Sequence, residues 1–222
     1  MSSELMTDRF AVERRQMVAE QLRARGIKDE HVLAAMERVP RHLFVEKDNQ
    51  GEAYADHPLP IAEGQTVSQP LIVGVMLEAL GLTRNEKVLE VGTGSGYQTA
   101  LLAELAREVY SIERSEVLAR TAEERLLDLG YTGVTVLVGD GSLGLPERAP
   151  FEGIIVSAAA PDIPKALLEQ LLEGGRLVIP VGPAHSQQLQ VVRKAEGQAM
   201  ITSLEGCRFV PLIGEQGYEK GW

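Results

Sequence analysis

From Lys87 onward the chain alternates short apolar runs with helix-length segments, and that alternation restricts its fold more than any other feature. Strand-like runs occupy 87–91, 109–112, 134–138, 154–156 and 177–179. Helices fit the span up to 106, then 116–129 and 164–172. Strands separated by helices join through right-handed crossovers, so the expected core is an α/β domain with a doubly wound, mostly parallel sheet. Two later stretches, 189–193 and 200–210, flank a Glu196-Gly197 turn signal and predict an antiparallel pair at the C-terminal edge of that sheet.

Upstream of residue 85 the pattern changes. Residues 9–25 have helical spacing with Gly26 as the stop, and Asp29 is placed to cap a second helix that Pro40 ends. Residues 41–70 contain Gly51, Pro58, Pro60, Gly64 and Pro70, which is too much backbone punctuation for regular structure. A loop of that length inside a compact domain is usually functional or disordered; a helix over 71–80 follows directly, which favours function. The chain therefore divides, within one structural domain, into residues 1–84, N-terminal helices with a functional loop packed on the core, and residues 85–222, a Rossmann-like core with a C-terminal antiparallel edge.

The 222 residues suffice for a core that needs no metal or disulfide staple. Lysine plus arginine is 22 and aspartate plus glutamate is 32, a net charge of −10. Such acidity argues against a protein that grips nucleic acid or anionic membranes. Cys207 is the only cysteine, and no Cys/His cluster has zinc-ligand spacing, so neither a disulfide nor a metal is expected. Residues 1–10 lack the apolar core of a secretion signal, and no run approaches the ~20 residues of a membrane-spanning helix. A soluble, cytoplasmic monomer is the expectation.

The sharpest local feature is Val88-Leu89-Glu90-Val91-Gly92-Thr93-Gly94-Ser95-Gly96-Tyr97, a buried strand entering a glycine loop and then a helix. Ligands bind beyond the carboxyl ends of such strands, and glycines let the backbone approach them closely. Glu113 ends the next strand, where a carboxylate can accept from both ribose hydroxyls. A dinucleotide site would want glycine at position 97, and Glu90 would repel a pyrophosphate. Glu90 suits a ligand with an ammonium or sulfonium group better, which favours S-adenosylmethionine and methyl transfer over hydride transfer. A partner role for Glu90 beside some basic residue stays open. Other methyltransferases of this fold, a non-catalytic cofactor-binding module and an NAD oxidoreductase are the competing readings.

Further separated motifs extend the pattern: Pro58-Leu59-Pro60-Ile61, Gly64-Gln65-Thr66-Val67-Ser68-Gln69-Pro70, Gly139-Asp140-Gly141, Gly174-Gly175-Arg176-Leu177-Val178-Ile179-Pro180-Val181-Gly182 and Arg208-Phe209-Val210-Pro211-Leu212. Together with the glycine loop they resemble the protein-L-isoaspartate (D-aspartate) O-methyltransferase family, from about residue 12 to residue 213. The resemblance implies the class I S-adenosylmethionine-dependent methyltransferase fold. It also implies methylation of the free α-carboxylate of L-isoaspartyl and D-aspartyl residues in damaged proteins and peptides, which initiates repair. Carried onto this sequence, Glu90, Gly92, Gly94, Gly96, Glu113, Asp140 and Gly141 fall on cofactor-binding positions. Thr66, Val67 and Ser68 fall between the methyl group and the substrate carboxylate, with Ser68 on the active position, and Val210 falls in the segment covering the peptide. Ser157 stands where threonine is frequent.

A carboxylate acceptor is already ionised at neutral pH, so no strong base is needed. The four histidines, His31, His42, His57 and His185, show no relay spacing, and His57 is expected to be a turn residue beside Pro58. Ser68 is accordingly expected to orient the acceptor as a hydrogen-bond donor, with an N-cap role for the 71–80 helix as its structural alternative.

Overall fold

The computed structural model describes residues 3–183 and 185–219. Residues 1–2, 184 and 220–222, which belong to the expected 1–84 and 85–222 regions, lie outside the described residues, as does the start of the stretch searched for a secretion signal. In chain order the main elements are α1 (Ser3–Gln16), α2 (Glu30–Arg38), β1 (Leu59–Pro60), β2 (Thr66–Val67), α3 (Pro70–Leu80), β3 (Lys87–Val91), α4 (Tyr97–Leu105), β4 (Glu108–Glu113), α5 (Glu116–Asp128), β5 (Val134–Val138), β6 (Phe151–Val156), α6 (Lys165–Gln170), β7 (Leu171–Val181), β8 (Gln187–Ala195) and β9 (Gln198–Cys207).

Seven strands form one sheet in the order β5-β4-β3-β6-β7-β8-β9. The pairs β4–β5, β3–β4, β3–β6 and β6–β7 are parallel, whereas β7–β8 and β8–β9 are antiparallel. The chain thus leaves β3 toward β4 and β5 on one side and resumes at β6 on the other. That reversal opens a crevice at the carboxyl ends of the central strands.

Strand residues alternate between two cores, as the pleat requires. Val88, Ile155 and Val178 face one cluster with the N-terminal helices and α3. Leu89, Ile154 and Leu177 face the other, with Leu167 of α6 and Leu212. The central strands are apolar on both faces because helices cover both. β9 is exposed along nearly its whole length, as an edge strand should be.

The expected elements are present, with three differences that have physical causes. The first helix starts before residue 9, then widens into a π-turn over Met17–Leu22 and tightens into a 3₁₀ turn over Arg23–Arg25, with Gly26 stopping it at φ 106°. The wide turn keeps Met17, Val18 and Leu22 all buried. The helix expected over 164–172 is only Lys165–Gln170, because Leu171 already belongs to β7. Leu171 pairs with Phe151 and Arg176 with Gly153, so an irregularity at Gly174 and Gly175 takes up the extra residues. A Cβ on Gly175 would come within 2.8 Å of the Glu152 carbonyl oxygen, so only glycine fits there. Finally, β9 ends at Cys207, and the chain crosses the strand ends, where the Ala159 N–H donates to the Val210 carbonyl (2.8 Å) and the Leu212 N–H to the Ala159 carbonyl (2.7 Å).

The 41–70 segment is an ordered loop of 3₁₀ turns with β1 and β2 as a small antiparallel pair. Its anchor is Arg41, which is 0% exposed.

Candidate active site

β3, β4 and β6 end around a cavity of about 460 Å³. Its floor is the turn after β3, where Gly92 has φ 92° and Gly94 has φ 53°, backbone conformations that side chains with a Cβ rarely adopt. Gly96 is the N-cap of α4 at φ 87°, set against Ala122 and Leu126 of α5 and not against the cavity. Beyond it, Tyr97 and Gln98 line the wall.

Glu113, at the end of β4, lines the cavity and is nearly buried. One carboxylate oxygen accepts from the Gly94 N–H (3.0 Å) and the other from the Ser115 N–H (2.9 Å). Each oxygen keeps a lone pair for a further donor. Val91, Ile112, Val117 and Leu118 supply apolar surface nearby. Gly141 closes this end, where a Cβ would stand 2.4 Å from Val91 Cγ1. A fixed carboxylate for two vicinal hydroxyls, an apolar slot and a glycine-lined floor fit S-adenosylmethionine, whose adenosine end would lie at Glu113 and Gly141.

Besides Gly96, two more expected cofactor residues, Glu90 and Asp140, do not reach the cavity surface. Glu90 sits one layer behind, 0% exposed, accepting from Thr99 Oγ1 (2.5 Å), Ser111 Oγ (2.6 Å) and Gln98 Nε2 (3.1 Å). Burial pushes its pKa up to about 7, against the pull of those three donors. Gln98, which does line the cavity, stands between Glu90 and the cavity surface, so the expected direct contact of Glu90 with a cationic group has no exposed carboxylate to make it. Asp140 accepts from Ser142 N (2.9 Å), Ser142 Oγ (2.7 Å) and the Glu215 N–H (2.8 Å). Its carboxylate therefore fastens the C-terminal segment, and its neighbour Gly141 alone meets the cavity.

The cavity opens into a second groove of about 730 Å³. Thr66, Ser68, Ser157, Val210 and Pro211 line both, so they form the aperture between them. Val67 lines the cavity only and is buried. The groove continues past Arg25, His185 and Arg208, with Cys207 in its wall. Burial raises the Cys207 thiol to about 11, so it is no nucleophile at neutral pH.

Ser68 does not cap α3. The N-cap is Gln69, with no side-chain cap bond, and Pro70 begins the helix. Among the described residues the Ser68 hydroxyl makes no hydrogen bond, which leaves it available to a ligand at the aperture. His57 is the expected turn residue, its Nδ1 3.0 Å from the Pro58 carbonyl and its Nε2 3.1 Å from Glu52.

Sequence reasoning missed Arg41. Its Nε donates to the Ala53 carbonyl (2.7 Å) and its Nη2 to the Ser68 carbonyl (2.8 Å), while its guanidinium lies 4.8 Å from the Tyr97 ring centroid. Among the described residues no carboxylate pairs with it, and burial lowers its pKa. A desolvated cation thus stands directly behind the Ser68 backbone. The one available signal was a charge inside the apolar run Val39-Pro40-Arg41-His42-Leu43-Phe44-Val45. Gln98, which joins Glu90 to Ser157, was missed as well.

Among the described residues no group of three or more His, Cys, Asp or Glu side chains could hold a metal ion, and no helix is long and apolar enough to cross a membrane. Residues 13–217 match the family profile described as protein-L-isoaspartate(D-aspartate) O-methyltransferase. The protein-L-isoaspartate O-methyltransferase of Koribacter versatilis (strain Ellin345) is 57% identical over 209 residues, 94% of each chain. That of Methanoculleus marisnigri is 55% identical over 207 residues, 93% of this chain and 94% of the relative. A solved protein-L-isoaspartate O-methyltransferase superposes with a TM-score of 0.83 at 28% identity, over 91% of this chain and 67% of that one. A Plasmodium falciparum chain assigned to the same activity, in complex with S-adenosyl-L-homocysteine, gives 0.79 at 25% identity, over 90% of this chain and 98% of that one.

Proposed function

The chain belongs to the protein-L-isoaspartate(D-aspartate) O-methyltransferase family, and from that premise we propose how its own residues carry out the reaction. It transfers a methyl group from S-adenosylmethionine to the free α-carboxylate of L-isoaspartyl and D-aspartyl residues in damaged proteins and peptides, the first step of their repair. The observation that carries the reading is the aperture: a cavity of about 460 Å³ opens into a groove of about 730 Å³ beside a hydroxyl, Ser68, that has no partner within the described chain.

The bound cofactor supplies a methyl group activated on a sulfonium sulfur, open to in-line attack by a carboxylate oxygen. Glu113 holds the ribose through the two lone pairs its backbone donors leave free. Gly92, Gly94 and Gly141 let the backbone close on the ligand, and Glu90 steadies the methionine end through Gln98. Ser68 donates to the acceptor carboxylate and turns one of its oxygens toward the methyl group. Arg41, behind the Ser68 carbonyl, fixes that loop and adds positive potential for the anionic acceptor. Thr66 and Val210 wall the aperture and Val67 the cavity beside it, excluding water, so positioning supplies most of the rate enhancement.

An isoaspartyl bond adds a backbone methylene and frees an α-carboxylate. A groove that selects for that kink can tolerate varied side chains on either side. The charge of −10 supports a protein partner over nucleic acid or an anionic membrane. Matched peptides with aspartyl or isoaspartyl linkages and labelled cofactor test the reading. Base-labile methyl ester is expected on the isoaspartyl peptide alone, and equal labelling of both, or of neither, would reject it.

A further inference from the structure

Ser157 follows directly on β6 and, like Ser68 on a different structural element, lines both the cavity and the groove. Its backbone is fixed by the Ser157 N–H donating to the Val91 carbonyl at 2.8 Å, which continues the β3–β6 pairing past the end of the strand.

The direction of its proton follows from counting donors. Gln98 Nε2 carries two hydrogens. One goes to Glu90 Oε1 at 3.1 Å and the other to Ser157 Oγ at 2.7 Å. Above about pH 7, where Glu90 is ionised, it only accepts, so the Gln98 amide then presents nitrogen, and not oxygen, to Glu90. The other Glu90 oxygen is occupied by the Thr99 and Ser111 hydroxyls, and Ser111 is in turn 2.6 Å from Thr93 Oγ1. Glu90, Thr99 and Ser111 are at 0% exposure, so with Glu90 ionised the polarity of the buried part of the network is fixed. Ser157 Oγ is therefore an acceptor from Gln98. Its own single proton has to point away from Gln98, and Ser157 itself borders the aperture.

We infer that Ser157 is a second hydroxyl donor to the acceptor carboxylate, sharing the aperture with Ser68, and that Gln98 is the positioning residue that aims it. This rests on the methyl-transfer reading above. An anionic acceptor offers about four lone-pair sites on two oxygens. Donors from two sides fix its rotation about the C–C bond, which a single donor leaves free, while one lone pair stays bare for the incoming methyl group. A serine that merely filled the end of β6 would be replaceable by alanine at little cost.

The test compares the full-length parent with Ser157→Ala, Ser157→Thr and Gln98→Met, using initial rates of ester formation on an isoaspartyl peptide and calorimetric affinity for S-adenosylhomocysteine. Ser157→Ala is expected to lower kcat/KM roughly 10- to 100-fold, the usual worth of a hydrogen bond to a charged group, and to leave adenosylhomocysteine affinity within about twofold. Ser157→Thr, which keeps the hydroxyl, is expected to recover most of the loss. Gln98→Met should reproduce the loss in the parent and add little in the Ser157→Ala background. Full activity in Ser157→Ala, an equal loss of adenosylhomocysteine binding, or additive losses in the double variant would overturn the inference. A parent that binds adenosylhomocysteine yet forms no ester would sink the methyl-transfer reading and this one together; an active parent with an indifferent Ser157→Ala would sink this one alone.

Discussion

The nucleoside end of the cavity is made by strand ends and glycines, whereas the acceptor end is made by two irregular segments held in place by buried polar side chains. At the first end the parallel sheet itself sets the geometry: β3 delivers Gly92 and β4 delivers Glu113, and the Gly94 N–H ties the two together. At the second, the 41–70 loop hangs on Arg41. The 207–209 stretch hangs on buried Gln187, whose Oε1 accepts from the Phe209 N–H at 2.9 Å. The difference teaches where each half is vulnerable. Cofactor binding is distributed over secondary structure that the fold needs anyway, while acceptor positioning depends on a few side chains that nothing in the sheet requires.

Replacing Arg41 by methionine attacks the acceptor end at its anchor and should have the largest effect. Two buried carbonyls lose their donor, so unfolding free energy is expected to fall by about 2–5 kcal/mol in urea melts. Ester formation should drop more than about 100-fold as the Ser68 loop loosens. Adenosylhomocysteine affinity should change little, and if it collapsed in step with turnover the two ends would not be separable.

Glu113→Ala strikes the other end. Loss of hydrogen bonds to two hydroxyls is expected to weaken adenosylhomocysteine by roughly 100-fold in calorimetry, with the peptide KM nearly unchanged at saturating cofactor. Ser68→Ala should do the reverse, lowering kcat roughly 10- to 100-fold while cofactor affinity stays within about twofold. Equal cofactor losses in both variants would erase the contrast.

Glu90, which Gln98 links to Ser157 between the two ends, gives a pH signature of its own. Its folded pKa, about 7, lies above the ordinary 4.5, so the folded state binds the extra proton between those values. Stability is therefore highest below about pH 4.5 for this group and declines as pH rises through 7, by at most about 3 kcal/mol. Thermal melts of Glu90→Gln should lack that decline. The smallest effect is expected from Cys207→Ser, a change in the groove wall that leaves rates within about twofold, since the thiol stays protonated at neutral pH. A large loss in a folded variant would give the thiol a role that its surroundings argue against.

The same contrast explains what was legible in the sequence. Val88 to Tyr97 announces a buried strand, a positive-φ turn and a helix in consecutive residues, because local sterics dictate all three. Glu113 follows from the spacing of a βαβ unit. Ser68, Val210 and their neighbours could be placed only through motif resemblance, since residues 41–70 have no period to interpret. Arg41, Gln98 and the true partners of Glu90 and Asp140 were hidden, because each is set by contacts across many residues of chain, such as Asp140 with Glu215. The short α6 was missed for a related reason: the sheet captured Leu171, whose helical spacing pointed the other way.

The grip of Asp140 and Ser142 on residues 214–216 has a consequence for how this enzyme can diversify. One short strap passes over the peptide side at Val210, is stitched to Ala159 at Leu212 and is buckled on the adenosine side at Glu215. A Cβ on Gly214 would stand 2.0 Å from Asp140 Oδ1, so the buckle allows no slack. Side chains on the strap are free to vary and retune which damaged proteins enter, but its length is not: inserting or deleting a single residue between 212 and 215 would throw both chambers out of register together.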